Sequence, residues 1–259
     1  MIDLHSHILP GVDDGPGAWD GTMGMLRIAE EAGTTTIVAT PHSHDYWRGA
    51  QPPEILIPKL VAEANQRAAD AGLTIKVLTG MECQALPSLV HDLDKQSCFT
   101  LAHSRTVLME LPFMMWPAHT ESLVFNLQLA GYTILLAHPE RYKAVQEDPN
   151  RLAPLIERGV YMQITTTSVM GRNGSKVQEL TRQMVDLNWA HVLSSDAHSV
   201  GGRNPKLDEA EAEVARWTDD ATARRMSFDT PLALINDQLP DVPEPLTYEP
   251  RRKKILGIF

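Results

Sequence analysis

Cysteine, basic charge and long apolar runs are all scarce in this 259-residue chain, and each shortage narrows its chemistry. Two cysteines, Cys83 and Cys98, cannot build a disulfide framework or a cysteine-rich zinc site. Lysine and arginine number 23 against 33 aspartates and glutamates, a formal net charge of −10. That balance argues against nucleic-acid binding, which needs a basic footprint. A negatively charged substrate would be attracted locally, by metal ions or a few arginines. No apolar run approaches the roughly 18 residues of a membrane helix, and no charged-then-apolar leader precedes the first strand. The chain is therefore expected to be soluble and cytoplasmic, without membrane insertion.

Short apolar runs do recur, separated by longer amphipathic segments. Strands are expected at 2–4, 36–39, 75–79, 107–111, 133–137, 160–164 and 191–194, with helices at 19–32, 54–71, 119–130, 149–158 and 175–187. Gly33, Gly72, Gly131 and Gly159 each follow a helical stretch, where a helix C-terminus favours a left-handed residue. This α/β alternation predicts a mostly parallel sheet. About seven strands in a chain of this length fit a distorted TIM-like barrel with helices outside. Residues 1–259 read as a single domain. Beyond Asp196, segments 206–217 and 220–226 read as helical, and a proline-rich tail begins at about 238. It ends Arg251-Arg-Lys-Lys254-Ile-Leu-Gly-Ile-Phe259, basic and then apolar. The apolar tip is expected to dock on the body, a membrane-surface or partner contact being the alternative.

Histidine and carboxylate cluster where those apolar runs end. His5 and His7 are two apart and share one strand face, so both rings can reach one ion. Asp196 and His198 repeat that spacing at the last strand. His42, Glu82, Glu110 and His138 each close a run between them, and Asp13 or Asp14 sits in the turn Gly11-Val-Asp-Asp-Gly15. Parallel sheets collect functional groups at their carboxyl ends, so one location explains all of these positions. Imidazole and carboxylate without thiolate suit manganese, iron, zinc or magnesium. His91, His103, His119 and His191 lack ligand partners in sequence and read as structural or exposed, whereas His44 and Arg48 could line a substrate mouth.

Together these residues resemble the PHP (polymerase and histidinol phosphatase) superfamily. Ile8-Leu-Pro-Gly-Val-Asp-Asp-Gly15, Ala39-Thr-Pro-His42, Ala137-His-Pro-Glu-Arg-Tyr142 and Ser195-Asp-Ala-His198 are similar to motifs of the bacterial manganese-dependent tyrosine-protein phosphatases of the capsular-polysaccharide type. The resemblance spans essentially the whole chain. It implies a distorted barrel holding up to three ions, with manganese the expected metal. His5, His7, Glu82 and Asp196 would hold the first; Glu82, Glu110 and His138 the second; Asp14, His42 and His198 the third. Glu110 matches the tyrosine-phosphatase branch, since many superfamily relatives have histidine there. Arg141 and Arg203 match the family's phosphate-gripping arginines, and His198 or a metal-held water would serve as acid if one is needed.

The implied substrate is a phosphotyrosine protein, the C-terminal tail of a bacterial tyrosine kinase controlling polysaccharide export. A small-molecule phosphoesterase on the same scaffold, acting on histidinol phosphate or a nucleotide, is the second reading. Thiolate chemistry is excluded, because Leu89 and Ser104 stand where a Cys-x5-Arg loop needs arginine. Two stretches depart from the family pattern: Ser43-His-Asp-Tyr-Trp-Arg-Gly49 after His42, and Cys83 where a β-branched residue is usual.

Overall fold

Eight parallel strands carry the architecture in the computed structural model, which describes residues 1–248. They are β1 (Ile2–Ser6), β2 (Thr36–Ala39), β3 (Lys76–Thr79), β4 (Glu82–Gln84), β5 (Thr106–Glu110), β6 (Thr133–Ala137), β7 (Tyr161–Thr165) and β8 (Val192–Ser194). Two sheets result, ordered β1-β2-β3 and β4-β5-β6-β7-β8. The expectation of about seven strands is corrected to eight. The additional strand, β4, is three residues long and is separated from β3 only by Gly80 and Met81. So short a segment shows no periodicity, and its pairing with β5 is what defines it. Glu82 accordingly opens a strand; it does not close one.

Helices cover the outer faces: α1 (Trp19–Glu31), α2 (Pro53–Asp70), α3 (Leu89–Asp94), α4 (Thr120–Leu129), α5 (Lys143–Glu147), α6 (Ala153–Glu157), α7 (Thr166–Val169), α8 (Ser175–Asp186), α9 (Asp208–Trp217), α10 (Asp220–Arg224) and α11 (Thr230–Ile235). The helix expected at 149–158 is instead a 3-10 turn, Pro149–Leu152, running into α6. The Asp148 side chain accepts a bond from Asn150 N and caps that turn. The segment expected at 220–226 is α10 followed by a π-helical stretch, Arg225–Asp229. No described helix is long and apolar enough to cross a membrane.

Successive strand residues divide between two apolar clusters, as the two-residue period of a strand dictates. Ile37, Val107, Met109, Ile134, Leu136, Met162 and Ile164 pack outward with helical side chains such as Met25, Leu123 and Leu180. Their neighbours Leu4, Val38, Leu108, Leu135 and Val192 form a second, inner cluster closed by Leu101 and Leu234. Strands buried on both faces explain why the runs look continuous in sequence. The inner cluster draws from both sheets, so the sheets face each other across it.

The sheets also meet at two seams, through the isolated parallel bridges Ser6–Ala197 and His42–Glu82. At the first seam His7 N donates to Ala197 O (2.8 Å) and Asp196 N to His5 O (2.9 Å). Buried Asp3 strengthens it, accepting from Ser195 N at 3.0 Å and Ser195 Oγ at 2.5 Å. Burial pushes the Asp3 carboxyl up to about 6, against the hydrogen bonds from Ser195. At the second seam Glu82 N donates to Pro41 O and Ser43 N to Glu82 O, both at 3.1 Å. Downstream, Leu246 N bonds Leu187 O, and Trp189 Nε1 bonds Leu246 O, at 2.9 Å each. The start of the expected tail thus lies on the body, while its basic-apolar end falls outside the described residues.

Candidate metal centre

The ligand candidates converge on the carboxyl ends of the strands, around the two seams. His5 lies in β1 and His7 just beyond it; His42 follows β2; Glu110 ends β5; His138 follows β6; Asp196 and His198 follow β8. Asp14 comes from the loop between β1 and α1, and Glu82 from the first position of β4. Glu82 occupies the middle. Its Oε1 lies 3.4 Å from His5 Nε2 and 2.9 Å from His138 Nε2, and its Oε2 3.4 Å from His7 Nε2 and 2.9 Å from His42 Nδ1.

Around that carboxylate the donors fall into overlapping groups: His5, His7 and Asp196; His5, Glu82 and His138; His42, Glu82 and Glu110; and His7, Asp14, His42 and His198. Glu110 Oε1 is 3.7 Å from His138 Nε2, and Asp14 Oδ1 is 3.1 Å from His198 Nε2. His138 and Asp196 both adopt left-handed backbone, at φ 32° and 50°. Neither is glycine, so local strain is accepted at two ligand positions where the chain leaves its strand.

The hydrogen bonds behind the rings decide which nitrogens face inward. Gln163 Nε2 donates to Ile164 O, so its Oε1 must accept, and His5 Nδ1 at 3.0 Å carries the proton. Asp13 Oδ2, 2.7 Å from His7 Nδ1, fixes the same tautomer there. His198 Nδ1 faces the Asp196 carbonyl at 2.9 Å, and a carbonyl only accepts. With Nδ1 engaged behind it, each ring turns its Nε2 inward, and those of His5 and His7 are 3.2 Å apart. Nitrogens at that distance need a shared proton or a shared cation between them, and a cation suits a set of side chains that are all metal-ligand types. His42 Nδ1, Glu82 Oε2 and His198 Nε2 are buried without an aligned hydrogen bond, though each has a partner candidate within about 3 Å. Atoms that are close and misaligned in this way aim at a shared point, which suits a bound ion.

Charge makes the same case. Burial, then the neighbouring Glu82 and Asp196, push the Glu110 carboxyl up to about 9. Burial pushes His138 down to about 4. The ring thus carries more carboxylate than it can ionise at neutral pH, and a cation would replace the extra proton. Asp196 remains ionised because His5, His7 and Arg203 outweigh its burial. Its inner Oδ1 lies 3.4 Å from His5 Nε2 and 3.5 Å from His7 Nε2. Its outer Oδ2 accepts from Arg141 Nη1 at 2.6 Å and Arg203 Nη2 at 2.8 Å. Both arginines line a cleft of about 560 Å³ above the ring. Its other walls are largely apolar, from Leu86, Leu111, Pro112, Phe113, Met114 and Met115. Phe113 stacks on His138 and lies beneath the Arg141 guanidinium at 4.7 Å.

Several orienting groups escape a motif reading. Gln163 and Asp3 are polar residues inside apolar runs, and that interruption was their available signal. Asp13 turns out to brace His7, which leaves Asp14 facing the ring. His44 and Arg48 do not line the cleft; Tyr46, between them, does. His103, His119 and His191 make hydrogen bonds outside the ring, to Thr79, Ala85 and Met162. Gly15 permits the Asp13–Asp14 turn, since a Cβ there would lie 2.3 Å from the His7 carbonyl oxygen. Gly15→Ala should displace Asp14, lowering divalent-metal affinity and costing up to about 10²-fold in catalysed rate. Metal titration and steady-state kinetics would show it, and wild-type values in both would contradict the turn's role.

Comparison with known proteins identifies the family. The family model described as "Capsular polysaccharide synthesis, CpsB/CapC" matches residues 1–236. Tyrosine-protein phosphatase YwqE of Bacillus subtilis (strain 168) is 32% identical over 260 residues, covering 100% of both chains. Tyrosine-protein phosphatase CpsB of Streptococcus pneumoniae is 28% identical over 245 residues, covering 92% of this chain and 100% of that protein. One solved chain, from crystal structures of YwqE and CpsB described as unique metal-dependent tyrosine phosphatases, matches with a TM-score of 0.90 at 31% identity. It covers 96% of this chain and 100% of its own. The lactonase Lmo2620 of Listeria monocytogenes, at 11% identity and a TM-score of 0.55, shares the fold alone. The chain belongs to the CpsB/CapC family of capsular polysaccharide synthesis.

Proposed function

We propose that this protein is a metal-dependent protein-tyrosine phosphatase of capsular or extracellular polysaccharide synthesis. Its substrate would be phosphotyrosine in the C-terminal tail of a bacterial tyrosine kinase. One observation carries the proposal: a ring of inward-facing imidazole nitrogens and carboxylate oxygens lies under two arginines at the foot of an open, apolar-walled cleft. The sets His5/His7/Glu82/Asp196, Glu82/Glu110/His138 and Asp14/His42/His198 would hold up to three ions, manganese foremost. When bound, such ions neutralise phosphate charge and activate water as a nucleophile.

The protein's own groups supply the rest. Arg141 and Arg203 present guanidinium forks suited to phosphate oxygens, and Asp196 holds both in place before substrate arrives. Asp13 and Gln163 keep the rings of His7 and His5 in the ligand tautomer. The Nδ1–H of His198 makes that residue a ligand in this scheme and not a proton donor. A phenolate leaves readily, so the scheme needs no dedicated acid. Phe113, Leu86, Met114 and Met115 give a phenyl ring apolar contact, and the exposure of Met114 and Asp14 leaves room for a protein chain.

The two seams and the shared inner cluster support a distorted barrel of the PHP type spanning one domain. Free Cys83 and Cys98 fit a cytoplasmic location. Purified protein with manganese should hydrolyse a phosphotyrosyl peptide, and a chelator should abolish the reaction. Inertness toward phosphotyrosine with rapid turnover of histidinol phosphate would overturn the substrate while leaving the metal ring intact.

A further inference from the structure

The segment that departs from the family pattern places His44 against a second donor group outside the ring. His44 Nε2 lies 3.3 Å from Asp92 Oδ2 and 3.7 Å from Cys98 Sγ, and all three donor atoms lie within 4.8 Å of one another. Asp92 and Cys98 are tied together first, because Cys98 N donates to Asp92 O at 3.1 Å. Ser88 Oγ donates to Asp92 Oδ2 at 2.8 Å and orients the carboxylate. His44 arrives from the other side on a left-handed backbone, φ 51°, a conformation unusual for a non-glycine residue.

We propose that Cys98, His44 and Asp92 form a second cation site, selective for a thiophilic divalent ion such as zinc. Zinc bonds of about 2.3 Å to sulfur and about 2.0–2.1 Å to nitrogen or oxygen place tetrahedral neighbours roughly 3.3–3.6 Å apart. The two separations from His44, 3.3 Å and 3.7 Å, are close to those edges. Thiolate with imidazole and carboxylate is a softer set than the ring of nitrogen and oxygen donors, so one chain would sort two kinds of metal. Binding requires Cys98 to lose its thiol proton to solvent as the sulfur–metal bond forms. Cys98 is buried, but the His44 and Asp92 side chains are 27% and 14% exposed, which provides an entry path and a fourth position for water. The site is linked to the cleft through Tyr46, which shares the 3-10 turn of His44 and packs against the His42 ring at 5.1 Å.

Cobalt(II) titration of the full chain preloaded with manganese tests this. A thiolate–cobalt charge-transfer band in the near ultraviolet reports sulfur ligation, and the ring contains no thiol, so the readout is independent of any phosphatase activity. The band should saturate at one cobalt per chain, disappear in Cys98→Ser and persist in Cys83→Ser. His44→Ala should weaken cobalt binding by about tenfold or more. A wild-type protein without the band, or a band lost with Cys83 instead, would overturn the site and leave the trio as a hydrogen-bonded anchor for the loop.

Discussion

Glu82→Gln should lower kcat/KM on a phosphotyrosyl peptide by about 10³-fold or more, equivalent to roughly 4 kcal/mol of transition-state stabilisation. The substitution preserves shape and removes one charge from the point where His5, His7, His42 and His138 converge. Removing that charge also takes away the anionic oxygen that bound ions would share. Manganese content should fall, and with it the metal-induced rise in thermal midpoint. Saturating metal at ~100 times Kd contributes about 2.7 kcal/mol through mass action alone. Elemental analysis, calorimetry with and without manganese, and kinetics together check the prediction. Activity within tenfold of wild type would show that Glu82 is not the shared ligand.

Loss of both arginines should be nearly as severe, and distinctly non-additive. Arg141 and Arg203 donate to the same Asp196 oxygen, so when either is removed the other keeps that anchor and remains for phosphate. A charge-assisted hydrogen bond is worth about 1.5–3 kcal/mol, so each single alanine variant should lose about 10- to 100-fold in kcat/KM. The double variant should lose more than the product of the singles, because no guanidinium then remains for phosphate. Manganese affinity should change little, since neither residue is a ligand. A double-mutant cycle read in both kinetics and metal binding distinguishes this from collapse of the ring, which would lower metal affinity in step with activity.

Much of the candidate site was legible in the chain because its candidate ligands sit where apolar runs stop. His5, His7, His42, His138, Asp196 and His198 stood out without coordinates, as did the alternation that orders β1 through β8. β4 did not, because three residues have no period, and so Glu82 was read as following β3 without being recognised as the first residue of a further strand. Gln163 and Asp3 were missed for a related reason, whereas Asp13, weighed against Asp14 as a ligand, braces His7 instead. Gln163 faces His5 Nδ1 and Asp3 faces Ser195, contacts set by β1 lying beside β7 and β8, 150 residues and more away in sequence. Tyr46 displaced His44 and Arg48 at the cleft because a single left-handed residue turned the loop, which composition does not encode.

The seams between the sheets have a mechanical consequence. His5, His7 and His42 belong to the three-stranded sheet, while Glu82, Glu110, His138, Asp196 and His198 belong to the five-stranded one or its extensions. Any ion held by members of both sets is a non-covalent rivet between two halves of the molecule, closing long loops that the unfolded chain would leave open. Catalytic competence and structural cohesion would then share the same bonds. A lineage altering these ligands to tune one would disturb the other, which leaves the rim of the cleft as the place where substrate preference can drift most freely.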